Sequence, residues 1–206
     1  MSESFGVLSG HEIENQIQSG RIRITPCDMR YVNPASFDLT LGDEVRVYVG
    51  TVDVATSEEY FPQDGRHLVK RWHPPVLDSR KSNPTLSFKV GPEGFVLLPG
   101  IGYLMHTAER VWTDSFVPII DGKSSIGRLF LKVHETAGFG DPGFDGFYTL
   151  EVTAVHPVRV YAGMRICQVR FQSIQGVPKL YEGHYRGDTA VGAVASRSWE
   201  QFEDHR

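Results

Sequence analysis

DGKSSIGRLFLKVHETAGFGDPGFDGFYTLEVTAV, spanning Asp121–Val155, sets short apolar runs between turns rich in glycine and proline. Its last eight residues, Tyr148–Val155, are mostly β-branched or aromatic, the side chains that pack on a pleated surface. Alternation there puts Thr149, Glu151 and Thr153 on one face and Leu150 and Val152 on the other. The same texture continues in both directions, through Glu44–Val49, Phe95–Leu98, Gly102–His106, Phe116–Ile120, Arg128–Val133, Val158–Tyr161 and Arg165–Phe171. Many short strands between Gly/Pro turns predict an all-β barrel or sandwich. Helix signals are few. Ser9-Gly-His-Glu12 reads as a capping box, and Ile13 and Ile17 form an apolar stripe, so Gly10–Ser19 is expected to be a short helix stopped by Gly20.

The chain has 206 residues, 40% hydrophobic and 22% charged, with Lys+Arg 21 against Asp+Glu 25. A folded chain of this length buries roughly 70% of its unfolded surface, enough for one core without staples. A single domain over residues 1–206 follows, and disorder or a low-complexity architecture does not. The formal charge of −4 argues against non-specific nucleic-acid or anionic-membrane partners, while leaving room for a local phosphate pocket. No run approaches 18 apolar residues and MSESFG is no signal peptide, so a soluble, cytoplasmic protein is expected. Cys27 and Cys167 lie too far apart in sequence for a disulfide framework or a metal-ligand motif.

Two regions break the pattern. Residues 51–92 mix charges, prolines and aromatics without a sustained period, and read as an irregular insertion, either functional, an intersubunit contact or a plain surface excursion. From about Gly183 to the C-terminus the chain is small, polar and glycine-containing, the composition of a mobile arm.

Several chemistries drop out. A zinc deaminase needs H-x-E followed by P-C-x-x-C, and neither cysteine here has such a partner. His134-Glu135 lacks the second histidine of H-E-x-x-H, so no zinc is expected. Phosphate loops, a dinucleotide fingerprint and a nucleophile elbow are also missing. What remains is the opening stretch. Lys123, Ser124, Ser125 and Arg128 put two cations and two hydroxyls within six residues, a suitable cradle for phosphate or carboxylate. Gly138–Gly146 holds four glycines, which allow close backbone approach. Glu151 interrupts an apolar strand; it is either a solvent-facing strand residue or a recessed carboxylate kept ionised by the cradle.

These motifs together resemble the dCTP deaminase branch of the trimeric dUTPase-like family, whose pattern is R-S-S-x-x-R, then H-x-T-A-x-x-x-D-P-G-[FW]-x-G, then x-L-E. The chain carries Lys123-Ser124-Ser125-Ile126-Gly127-Arg128, then His134 to Gly146 with Thr136-Ala137 and Asp141-Pro142-Gly143-Phe144, then Thr149-Leu150-Glu151. The likeness extends to Ala35-Ser36-Phe37-Asp38, to Gly163–Gln168 and to Gly192–Ser196. It implies a distorted β-barrel or jelly-roll-like dUTPase fold with a short N-terminal helix and a mobile C-terminal arm. It also implies a homotrimer whose active sites are shared between subunits.

The activity so implied is hydrolytic deamination of a deoxycytidine nucleotide, dCTP to dUTP plus ammonia, feeding the supply of dUMP. By the motif match Glu151 shuttles the protons, Ser124 and the Ala137 carbonyl hold water and amine, and Arg128 orients Glu151. Asp141 would accept from the 3′-hydroxyl, or merely cap its turn, and Phe144 would pack near the sugar. Lys123 and Ser125 would meet the phosphates, with Mg²⁺ bound through those phosphates rather than by the protein. Further nucleotide contacts are implied for Ile126, Gly127, Thr136, Thr149, Leu150 and Gln168. From the tail, Tyr181, His184, Tyr185 and Arg186 are implied.

The chain departs from the family at the phosphate end. Lys123 replaces an arginine, and His184 stands at the lysine of the tail's Lys-Tyr pair with no glutamine before Gly192. A dCMP, dCDP or modified cytosine nucleotide therefore stays open as substrate. Thr136-Ala137-Gly138 resembles the bifunctional subgroup that goes on to dUMP, where simple deaminases often carry a bulkier residue after the alanine. A plain dUTPase, which gives Glu151 no work, and an idle nucleotide sensor are the remaining readings.

Overall fold

The computed structural model describes residues 6–48, 76–183, 185 and 191–202. Helix α1 (Gly10–Gln18) starts where the capping signal places it, with the Glu12 N–H donating to Ser9 Oγ at 3.3 Å. The Glu12 carboxylate turns along the helix instead of back to Ser9, accepting from the Asn15 and Gln16 amides. Ile13 is fully buried and Ile17 packs against the same core, so the apolar stripe docks the helix.

The strands are β1 (Ile22–Thr25), β2 (Val32–Asn33), β3 (Ser36–Thr40), β4 (Glu44–Tyr48), β5 (Thr85–Lys89), β6 (Phe95–Leu97), β7 (Tyr103–Thr113) and β8 (Phe116–Gly122). A helical turn α2 (Ser124–Gly127) precedes β9 (Leu131–Lys132), β10 (Asp145–Ala154), β11 (Val158–Val160) and β12 (Arg165–Ser173). All pairings are antiparallel. One sheet runs β5-β4-β7-β10-β9, with β1 also on β7; a second runs β2-β3-β12-β8; β11 and β6 form a small third.

Strand β7 is the spine, long enough to pair with β4 near its start, β10 along its length and β1 near its end. Inward residues of both large sheets, among them Phe37, Leu39, Phe171, Tyr103, Met105 and Leu150, join one core. The expected mainly-β class with one short helix is therefore what the chain adopts, with open sheets.

Three differences have physical reasons. Strand β3 is buried at all five residues, so SFDLT shows no alternation to read. Strand β5 lies within the stretch expected to be irregular, yet pairs with β4 over five residues; residues 51–75 of that stretch lie outside the described residues. The run Arg128–Val133 is not one strand, because α2 coils its start and Phe130 takes φ 55°, leaving only Leu131–Lys132 paired. No helix among the described residues is long and apolar enough to cross a membrane.

Candidate active site

Strand β10 builds the site as its alternation predicts. Leu150 and Val152 are buried in the core, while Thr149, Glu151 and Thr153 lie on the opposite, half-exposed face. A register shift between Phe147 and Thr149 locally bends the strand, and the Tyr148 N–H donates to Thr107 Oγ1 at 3.0 Å. Glu151 sits opposite Leu104 of β7, and its Oε2 accepts from the Glu135 N–H at 3.4 Å. Thr153 donates to the Glu135 carboxylate at 2.8 Å, tying that loop to β10.

The loop after Glu135 is folded back onto β8. Gly138 accepts from the Ile120 N–H at 2.7 Å, and Gly140 donates to Pro118 O at 2.8 Å. The Asp141-Pro142-Gly143 turn follows, with Gly143 at φ +87° and its N–H on Thr113 O at 2.7 Å. Tyr181 donates its N–H to Pro142 O at 2.8 Å and sets its ring edge-on to Phe144 at 5.8 Å. A Cβ on Gly143 would press on Leu180 and Tyr181, so glycine is required there twice over, by backbone angle and by space.

These elements enclose a cleft of about 460 Å³. Glu151, Ala137, Asp141, Phe144, Thr149, Tyr181 and Tyr185 line it, as the resemblance implies. Tyr48, Phe139, Phe147 and Tyr148 make the rest of its wall strongly aromatic. Burial and the neighbouring Asp141 charge push the Tyr148 hydroxyl above the ordinary phenol range. Two carboxylates and no Lys, Arg or His stand among the described lining residues.

The expected cradle is elsewhere on the chain's surface. Ser124, Ser125, Gly127 and Arg128 are exposed on α2 and its end, outside this cleft; Ile126 turns inward and is buried. Arg128 forms no ion pair among the described residues, so its expected contact with Glu151 is not made within one chain. Lys123 is not extended toward a ligand but paired with Asp38 at 2.5 Å.

Three other expected contacts are not brought to the cleft. Leu150 is a core residue because it faces away from Glu151. Gln168 accepts from Ser36 Oγ at 2.8 Å and donates to Gly122 O at 2.9 Å, which commits its amide to the second sheet. Thr136 is exposed beside Ala137 but not on the wall. His184 and Arg186 lie outside the described residues.

The tail supplies a surprise. Its composition is that of a mobile arm, yet residues 191–202 are seated by the protein's own bonds. Val194 N–H donates to Thr149 Oγ1 at 3.0 Å, Ser196 N–H to Tyr48 Oη at 2.8 Å and Arg197 N–H to Tyr185 Oη at 3.1 Å. Ala193 is only 2% exposed. Gly192, Val194 and Ser196 thereby become part of the cleft wall. Tyr48 escaped notice in the sequence; the alternation of Glu44–Tyr48 already put it on one face with Glu44 and Arg46, but nothing marked that face as the site's.

Comparison with known proteins places the chain among relatives. Residues 7–174 match the family described as dCTP deaminase-like. The chain is 39% identical over 198 residues to a "dCTP deaminase, dUMP-forming" of Leptospira biflexa, covering 96% of this chain and 98% of that protein. It is 37% identical over 186 residues to a protein of the same description from Hathewaya histolytica, covering 90% and 94%. A solved structure of 2'-deoxycytidine 5'-triphosphate deaminase from Agrobacterium tumefaciens superimposes with a TM-score of 0.56 at 22% identity. That match covers 84% of this chain and 49% of the solved one, and shows likeness of fold. A family match running from just before α1 to just past the end of β12, joined to relatives alike over nearly their whole length, means that the chain belongs to the dCTP deaminase-like family.

Proposed function

We propose that this protein deaminates dCTP and carries the product on to dUMP, releasing ammonia and pyrophosphate. Water adds at C4 of the cytosine and the amine leaves as ammonia; a second water then cleaves the α–β phosphate bond. The first step alone, ending at dUTP, is the simpler expectation from the residues. The names of the similar proteins support the longer sequence. So does Gly138: a Cβ there would strike the Ile120 carbonyl and the His134 ring, so the bulkier residue of simple deaminases has no room.

The observation that carries the proposal is complementarity between two parts of one chain. The cleft has Glu151, Asp141 and an aromatic wall but no cation among its described lining residues. The exposed turn has Ser124, Ser125 and Arg128, none of which lines that cleft. Leu129, Phe130 and Val155 leave an exposed apolar surface beside that turn. In a homotrimer one subunit's turn fills the next subunit's cleft, completing the site.

Glu151 then carries one proton of the attacking water to N3 and afterwards the second, from the hydroxyl of the C4 adduct, to the departing amine, with Arg128 of the neighbour balancing the charge. Ser124 and the Ala137 carbonyl hold the water and the amine. Asp141 accepts from the 3′-hydroxyl and Phe144 packs on the sugar. Ser125 and the turn's N–H groups meet the phosphates. No three His, Cys, Asp or Glu gather as a ligand set among the described residues, so the donors that fit Mg²⁺ are the phosphate oxygens it would arrive with. Such an ion would offset phosphate charge. Work on the free nucleotide pool suits a cytoplasmic enzyme.

The test separates the products. With dCTP, one ammonia and one pyrophosphate per nucleotide are expected; ammonia without pyrophosphate would leave a simple deaminase, and neither would leave a sensor. Parallel reactions with dCDP, dCMP and dUTP fix the number of phosphates read. Glu151→Gln should lose ammonia release by at least about 10²-fold while still binding nucleotide. Mixing Glu151→Gln with Ser124→Ala chains should restore activity that neither has alone. Absence of that rescue in mixed assemblies would place each site within one chain.

A further inference from the structure

Asp38 is fully buried, on β3 opposite Gln168 of β12. Its carboxylate accepts from Asn33 Nδ2 at 2.7 Å, Lys123 Nζ at 2.5 Å and Arg165 Nη1 at 3.3 Å. A carboxylate taken out of water is tolerated only when paired and hydrogen-bonded, and here two cations and an amide do so. Of the two cations, Arg165 remains largely exposed, whereas the Lys123 side chain is 18% exposed. The ion pair with Lys123 spans 85 residues of sequence.

Lys123 also begins the turn α2. Its carbonyl accepts from the Ile126 N–H at 3.0 Å and the Gly127 N–H at 2.8 Å, and Arg128 N–H closes on Ser124 O at 3.1 Å. No side chain caps this turn at its start. Lys123 therefore holds the turn by its backbone while its ammonium is fastened to the core. A four-residue turn has little stability of its own, so what fixes its first residue fixes the direction of Ser124 and Arg128.

We infer that Asp38 is a positioning residue that aims the Ser124–Arg128 turn through Lys123, and that Lys123 acts as the turn's anchor rather than as a phosphate ligand. The inference rests on the reading of that turn as half of a shared active site. It also gives the lysine a reason: a compact ammonium on a flexible stem reaches a single buried carboxylate that Asn33 and Arg165 already share.

Two measurements test it. Steady-state kinetics would compare Asp38→Asn, Lys123→Met and the double variant on dCTP and dCMP. Each single change should lower kcat about 10–100-fold, the cost of misplacing a catalytic group by roughly an ångström. The double variant should be no worse than the poorer single within about threefold, because both changes break one unit. The ratio of KM for dCTP to that for dCMP should not move. A Lys123→Met enzyme with kcat intact and a raised KM for dCTP alone would overturn the inference, as would losses that multiply.

The second measurement does not depend on turnover. Hydrogen exchange of the Ile126, Gly127 and Arg128 amides should quicken in both single variants while strand amides of β8 and β12 keep their protection. Unchanged exchange in the turn would also overturn the inference. If Asp38→Asn does not fold, Lys123→Met decides, since its side chain reaches the surface. Quickened exchange together with an active Glu151→Gln enzyme would sink the active-site reading and leave the anchor standing.

Discussion

Glu109 grips Thr40 with both carboxylate oxygens, accepting its backbone N–H at 2.8 Å and its hydroxyl at 2.6 Å. The contact ties β7 of the first large sheet to β3 of the second, and Glu109 is only 3% exposed. Desolvation pushes its carboxyl above the usual glutamate range, and the two Thr40 donors only partly offset that.

A raised folded value means the native protein binds the proton more tightly than the unfolded chain does. The stability Glu109 contributes is therefore full below the usual glutamate value and is lost as pH rises through the raised one. Glu109→Gln keeps an acceptor and carries no charge. Its stability relative to wild type should improve between about pH 5 and about pH 8, as read by urea titration. A wild-type protein that loses no more stability than the glutamine variant over that interval would contradict the assignment.

Gly138→Ala should be costly for a methyl group. Its Cβ would meet the Ile120 carbonyl, held in β8 by the pairing of Ile120 with Val169, and would crowd the His134 ring at 3.0 Å. Overpacking against fixed backbone costs about 1–3 kcal/mol. The displaced loop carries the Ala137 carbonyl, so ammonia release should fall about 10²-fold as well. Thermal melting and ammonia assays check the two effects, and an alanine variant as stable and active as wild type would show that the loop can give way.

Much of this fold could be read from residues such as Leu150 and Val152, whose alternation with Glu151 fixed both the strand and the face the carboxylate occupies. The helix was equally legible, because Ser9 and the isoleucine spacing are local signals. Strand β3 was hidden since it is buried on both faces and carries the charged Asp38, whose partners come from distant parts of the chain. Strand β5 was hidden because TLSFK takes its order from β4, not from its own composition. At the site, the motif named Glu151 and Asp141, but Tyr48 enters only through the pairing of β4 on β7, a tertiary fact with no local sign. The α2 turn was legible as a cradle and not as a separate surface, since sequence proximity does not say which side of the sheet a turn faces.

Phe130 holds φ 55° with its ring 60% exposed, edge-on to His156 at 5.5 Å. A bulky side chain in the left-handed region costs roughly 1–2 kcal/mol, so an isolated chain gains little from it. Phe130→Gly should therefore leave the single chain as stable or more so, while weakening the proposed homotrimer through loss of apolar contact. Light scattering over a dilution series should show dissociation at higher protein concentration than wild type. Unaltered assembly would remove Phe130 from the subunit contact.

Thr149 and Tyr48 stand on different strands of one sheet, and each offers an oxygen to a backbone N–H of the tail, Val194 and Ser196 respectively. Losing one such bond costs about 0.5–1.5 kcal/mol, which is a severalfold shift toward the open tail. Tyr48→Phe keeps the aromatic wall and Thr149→Val keeps the shape, so each removes the bond and little else. Proteolysis of the C-terminal residues should quicken in each variant, and roughly multiplicatively in the pair, because the two acceptors hold different residues. If closure of the tail over the cleft retains the nucleotide, KM for dCTP should rise in the same order. Added dCTP should then restore protection more than dCMP does, through phosphate contacts the tail makes beyond these two bonds. Faster cleavage with unchanged KM would mean that the tail is fastened for stability alone, and that nucleotide is held by the cleft and the neighbouring turn.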